Sequence, residues 1–186
     1  GNNSNTNYIV TQSEKEVTVL QYDIDCSWIL HDSYIYEGKV IELPGAEFLG
    51  LGDDGTIVLT VTEDSGKEFR NADDYDFTAN NSNGNYNVLK NTASVTVEPF
   101  SRMVSWTDTE SRIYTGEVQA FPNGTIEGIG DDPEIIHIIV TENKGKEFRN
   151  AGSYLFISGL ENNNYKLGNS TVGMAIEPYS IDVEWE

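Results

Sequence analysis

The sequence predicts an all-β chain of two tandem antiparallel β-sandwich modules joined by a short linker. Three observations predict it. Long motifs recur at a nearly constant distance, β-branched and aromatic residues cluster or alternate in short runs, and polar turn formers separate those runs at intervals of roughly 8 to 12 residues. No window of ten or more residues carries helical periodicity.

The repeat comes first because it sets the frame. Ile35-Tyr36-x-Gly38 returns as Ile113-Tyr114-x-Gly116, 78 residues further on, and Gly66-Lys67-Glu68-Phe69-Arg70-Asn71-Ala72 returns as Gly145-Lys146-Glu147-Phe148-Arg149-Asn150-Ala151, 79 further on. One residue is therefore inserted between the two motifs, near Pro133. A unit this long is a small domain in itself, unlike a solenoid repeat that needs stacked neighbours to bury a core, so the chain reads as beads on a string. A second block occurs three times, from Asn7-Tyr8 to Trp28, from Asn85-Tyr86 to Trp106 and from Asn164-Tyr165 to Trp185. The chain is therefore expected to open partway through a preceding unit and to close just after Glu177-Pro178, as if cut from a longer array.

Within a unit each element has its own signal. Residues 56–61 and 134–140 are rich in β-branched side chains, and residues 75–79 and 95–97 alternate with period 2. Asp53-Asp54-Gly55, Asn81-Ser82-Asn83-Gly84 and Pro122-Asn123-Gly124 read as turns, because Asn and Gly tolerate positive φ. Asp73 and Gly152 interchange at the residue pair before a strand, which suggests a turn residue there. Tyr36/Tyr114, Tyr86/Tyr165 and Trp106/Trp185 are read as core and strand-edge packing. Strands at this spacing with polar turns between them suit an immunoglobulin-like antiparallel sandwich in each unit, and Glu98-Pro99-Phe100 is a short linker.

Composition narrows the function classes. With 31 acidic and 11 basic residues the net charge is −20, which repels phosphate backbones and anionic lipid, so neither nucleic acid nor a membrane is an expected partner of this segment. No apolar run approaches the roughly 20 residues that span a bilayer. The single Cys26 leaves no intramolecular disulfide and reads as a small buried side chain. His31 and His137 fall at unrelated places in the units, and 31 acids supply many accidental pairs. Nothing arranges a catalytic set, and no enzyme, catalytic residue or cofactor is expected. Gly-Asp-Asp in both units offers Asp53, Asp54, Asp131 and Asp132 as calcium candidates, but two adjacent carboxylates are too few for an ion that takes six to eight oxygens, and an acidic turn is the expectation. Lys67/Lys146 with Asn71/Asn150 and Glu68/Glu147 have the residue types of an intramolecular Lys-Asn isopeptide bond at the wrong spacing, since that bond joins distant strands.

Taken in order, Tyr114, Gly116, Pro122, Gly130-Asp131, Asn150-Ala151-Gly152-x-Tyr154, Asn164-Tyr165 and Ile176-x-Pro178 resemble the MBG-type repeat of bacterial surface proteins and adhesins, and the resemblance covers both units. The first unit departs from it at Asp73-Asp74, where the family usually has Gly. In such modules a unit begins after one Pro and ends at the next, so the resemblance implies a first module over 22–99 and a second over 100–178, with 1–21 a partial preceding unit or N-terminal strand and 179–186 a C-terminal strand or the start of a next unit. It implies an extracellular, cell-surface or wall-associated array of non-catalytic modules. It implies a stalk or spacer whose partners are neighbouring modules of the same longer chain, monomeric in solution. The alternative is an adhesin segment that contacts a host glycan, mucin or matrix protein.

Overall fold

The computed structural model describes Thr6, Asn7, Ile9 and residues 14–185. The described part is all-β, with no α-helix and a single 3-10 turn at Gly52–Asp54. The first half runs β1 (Tyr22–Asp25), β2 (Ser27–Ile29), β3 (Tyr34–Ile35), β4 (Gly45–Leu49), β5 (Thr56–Val58), β6 (Thr60–Glu63), β7 (Asp74–Asn80), β8 (Tyr86–Leu89) and β9 (Thr92–Glu98). The second runs β10 (Phe100–Met103), β11 (Ser105–Thr107), β12 (Arg112–Ile113), β13 (Asn123–Glu127), β14 (Ile135–His137), β15 (Ile139–Glu142), β16 (Gly152–Gly159), β17 (Tyr165–Gly168) and β18 (Thr171–Glu177). Sheet orders β3-β9-β7-β6, β2-β4-β5 and β1-β8 in the first half recur as β12-β18-β16-β15, β11-β13-β14 and β10-β17 in the second.

The alternating residues on β7 and β9 give the first half its inner face. Tyr75, Phe77 and Ala79 on β7 and Val95 and Val97 on β9 are buried while the residues between them are exposed or half-buried, as a pleated strand requires. Ala46 and Phe48 of β4, in another sheet, share a cluster with Ala79, so the sheets pack face to face in the manner of a β-sandwich. Phe69 fills the middle of the first half, edge-on to Tyr34, Tyr75 and Phe77 at 5.3, 4.9 and 5.1 Å. Phe148 does the same against Tyr154 and Phe156 at 4.8 and 5.1 Å. Such rings carry much of the buried area in so small a unit.

Three local expectations are corrected. The sheets are mixed and not purely antiparallel: β1 runs parallel to β8 and β3 parallel to β9, with the same two parallel pairs in the second half. The segments entering each half lie along strands that come more than 60 residues later, a separation that no turn signal encodes. Residues 56–61 do not form one strand, because the chain bends at the buried Leu59 and moves from β4 to β7 as its pairing partner. Leu59 N–H still bonds Ala46 C=O at 2.8 Å, and Ile138 repeats the device on Gly124 C=O at 3.1 Å. Asn123-Gly124 is not a turn but the start of β13, with Gly124 buried against Ile138; a Cβ there would lie 2.4 Å from Ile138 Cδ1, so glycine answers a close approach.

Trp28 and Trp106 are half-buried, and each anchors a left-handed turn. Their indole N–H groups donate to the carbonyls of Lys90 and Asn169 at 3.1 and 3.0 Å, residues with φ of 52° and 50°. Trp185, at the same place in the repeat, is 91% exposed, and residues 179–185 form no strand. The expected partial unit over 1–21 lies mostly outside the described residues as far as position 13, and residues 14–20 are exposed and form no strand.

Candidate functional site

The residues that the repeat singles out converge on the boundary between the halves. Only Pro99 separates β9 from β10, and the two halves meet there through side chains and backbone. Tyr36, 1% exposed, reaches across and donates its hydroxyl hydrogen to Asp132 Oδ2 at 2.7 Å. Tyr165 donates to the same oxygen at 2.5 Å and accepts the N–H of Ile129 at 3.0 Å. The two tyrosine rings stand edge to face at 5.6 Å. Asp131 N–H bonds Gly38 C=O at 3.0 Å, and Arg70 holds that carbonyl from the other side at 2.9 Å. Asn164 completes the seam, accepting from Ala72 N–H at 2.8 Å and donating to Asn71 Oδ1 at 3.0 Å.

Two glycines set how closely the halves approach. Gly38 and Gly130 have φ of 73° and 57°, and a Cβ on Gly38 would lie 1.9 Å from Ile129 O, while one on Gly130 would lie 2.5 Å from Glu37 O. Positive φ alone favours glycine, but here the backbone of one half also presses on that of the other. The beads of the sequence reading are thus in contact. A buried cluster runs from Tyr34, Tyr36 and Phe69 through to Val104, Ile126 and Tyr165.

Electrostatics follow from this packing. Burial first, and then the hydrogen bond to the Asp132 carboxylate, push Tyr165 up to about 12. The same two causes in the same order raise Tyr36. Tyr86, the counterpart of Tyr165, is raised chiefly by its hydrogen bond to Asp54. Ionising any of these phenols would put a second negative charge against a carboxylate.

The four aspartates of the Gly-Asp-Asp turns separate into roles that spacing did not foretell. Asp132 is the acceptor for two tyrosines, Asp54 accepts from Tyr86, and Asp53 and Asp131 present exposed side chains. Among the described residues no group of three or more His, Cys, Asp or Glu is placed to hold a metal ion. Lys67 Nζ bonds Asp73 at 2.8 Å and not Asn71, and that ion pair holds the Asp73 carboxyl below the usual carboxylate range. His137 stands on the exposed side of β14, and His31 packs edge-on against Tyr34 at 5.4 Å.

Sequence reading assigned Tyr36 and Tyr165 to packing and missed that they meet one another. The available signal was that Tyr36, Gly38, Asn71, Asp132 and Asn164 are all repeated residues, whereas a core needs only apolar character. Compared with protein-family models, with curated proteins and with solved structures, the chain finds no match in any of the three.

Proposed function

We propose that residues 22–99 and 100–178 are two immunoglobulin-like modules of the MBG-type repeat that act as a non-catalytic spacer in an extracellular stalk, holding another part of a bacterial surface protein away from the cell. The observation that carries this reading is the seam: Tyr36 and Tyr165 on Asp132, with Gly38 against Gly130, couples the halves through fixed hydrogen bonds and a one-residue connection. Units on loose tethers gain reach only as the square root of their number, whereas locked units gain it in proportion, so a spacer benefits from a joint of this kind. The repetition points the same way, because the repeated residues form framework and seam, while a pocket for a ligand would repeat its contacting polar groups.

The test has two arms. Spin labels on exposed strand residues of the two halves should give one narrow distance distribution, and a broad one overturns the spacer. Mucin glycans and matrix proteins should show no saturable binding at millimolar concentration in physiological salt. Saturable binding that is lost on replacing exposed residues of a single loop, such as Glu161 and Asn163, would establish the adhesin reading instead.

A further inference from the structure

The seam between the halves uses residues that the repeat supplies again at both ends of the pair. On one side Tyr36, Gly38, Asn71 and Ala72 have the counterparts Tyr114, Gly116, Asn150 and Ala151. On the other side Ile129, Gly130, Asp132 and Asn164 have the counterparts Leu51, Gly52, Asp54 and Asn85. Seven of the eight are identical, and the eighth exchanges isoleucine for leucine.

These counterparts keep the seam's conformation without its partner. Asp54 accepts the Tyr86 hydroxyl, and that oxygen accepts Leu51 N–H at 2.7 Å, reproducing the Asp132, Tyr165 and Ile129 arrangement. What Asp54 lacks among the described residues is the second tyrosine, which Asp132 receives from across the boundary. Gly116 and Gly52 hold φ of 81° and 58°, close to those of Gly38 and Gly130. Around them the space is open: a Cβ on Gly52 would meet nothing within 4 Å, and one on Gly116 only the Tyr114 hydroxyl at 3.9 Å. Leu51 is 50% exposed. Beside Tyr114 lies an open cleft of about 720 Å³ lined by Ile113, Asn150, Ala151 and Pro178 and, from the chain's own C-terminal segment, by Tyr179 and Ile181.

We propose that these two end faces are the two parts of one head-to-tail interface. The end bearing Tyr114 takes the end bearing Leu51, Asp54 and Tyr86 of a second copy of this chain, through the contacts that the halves already make with each other. Four hydrogen bonds complete it: Tyr114 hydroxyl to the Asp54 carboxylate, Asp53 N–H to Gly116 C=O, Ala151 N–H to Asn85 Oδ1, and Asn85 Nδ2 to Asn150 Oδ1. The two faces differ, so the contact is heterologous, and each added copy leaves the same two faces free at the ends of the assembly. Within the chain the halves meet at an effective concentration in the millimolar range, so association between chains is weaker than the seam itself. The charge of −20 on each copy opposes it, and added salt screens that repulsion. Association therefore strengthens with ionic strength, opposite to a contact held by ion pairs. The inference rests on the same seam as the spacer reading, and its failure would leave the narrow distance distribution between the halves, on which that reading is tested, untouched.

Sedimentation velocity from about 10 μM to 1 mM, in 0.05 and 0.5 M sodium chloride, tests it together with amide chemical shifts. Mass should rise with concentration and more steeply in high salt, and Asp53 and Ala151 amides should shift together. Leu51→Glu blocks one face and Ala151→Glu the other, both at exposed positions, with folding checked by the unchanged dispersion of remaining amide signals. Each variant alone should stay monomeric, and an equimolar mixture should form a dimer and nothing larger. A chain that remains monomeric at 1 mM in 0.5 M salt overturns the proposal. So does a dimer that either variant still forms alone, or association in which those amides do not move.

Discussion

Tyr36 and Tyr114 hold the same place in the repeat, as do Gly38 and Gly116, yet one pair lies in the seam and the other faces a cleft. Tyr36 is buried and hydrogen-bonded to Asp132, whereas Tyr114 is half-buried beside open space. Gly38 is pressed by the backbone of the second half, while Gly116, with nearly the same φ, has almost nothing near it. The local backbone is alike in both, so the difference comes from the neighbour alone. A repeated residue can therefore be framework in one copy and interface in the next.

The largest effect expected from this comparison is steric. Gly38→Ala places a methyl 1.9 Å from Ile129 O, where backbone meets backbone, so the seam must open. Gly116→Ala meets no such contact and carries only the left-handed strain of about 1–2 kcal/mol. Hydrogen exchange at the Asp131 and Ala72 amides should speed up more than about tenfold in the first variant and stay within about twofold in the second. In scattering, the first should lose the single arrangement near a radius of gyration of about 21 Å that two linked units of about 12 Å predict. Equal behaviour of the two variants would mean that the seam adds nothing.

A second variant pair isolates the hydrogen bond. Tyr36→Phe removes a donor from a buried carboxylate contact and should cost about 1.5–3 kcal/mol in urea unfolding. Tyr114→Phe should stay within about 0.5 kcal/mol, as an outward-facing substitution does. Alkaline titration reads the same site from its other end. Tyr165 has a folded pKa of about 12, above its ordinary value, so its stabilisation is fully present below pH 10 and is lost as pH rises towards 12. The loss is about 2 kcal/mol, with Tyr36 contributing in the same direction. Tyr165→Phe should flatten the fall in melting temperature between pH 9 and 12, and an unchanged slope would assign that fall to other groups.

The smallest effect concerns metal. Asp132 is already engaged by two tyrosines and Asp54 by one. Melting temperatures in millimolar calcium and in excess chelator should agree within about a degree or two. A calcium-dependent rise abolished by Asp53→Ala and Asp131→Ala would convert the turns into ion sites.

Much of this was legible in the residues. The repeat frame, the strand runs on β7 and β9, the Gly-Asp-Asp turns and the inserted residue near Pro133 all follow from local pattern; the hairpin bonds Gly50 N–H to Gly55 C=O and Gly128 N–H to Glu134 C=O place that extra residue in the expected loop. Asn123-Gly124 has the signature of a turn because a glycine that answers close packing looks the same in sequence as one that serves a turn. The seam was invisible for a different reason, since its partners lie 92 to 96 residues apart and no local propensity links Tyr36 to Asp132 or Ala72 to Asn164.

By itself, then, the sequence determined that the chain is β throughout and built twice from one pattern, because period-2 alternation and turn chemistry act over a few residues. The tertiary structure alone decided the parallel edge pairs, the sheet switch at Leu59 and Ile138, and which copy of each repeated tyrosine and glycine became an interface. Those outcomes depend on which surfaces come together across long stretches of chain, and identical residues meet different neighbours in the two copies.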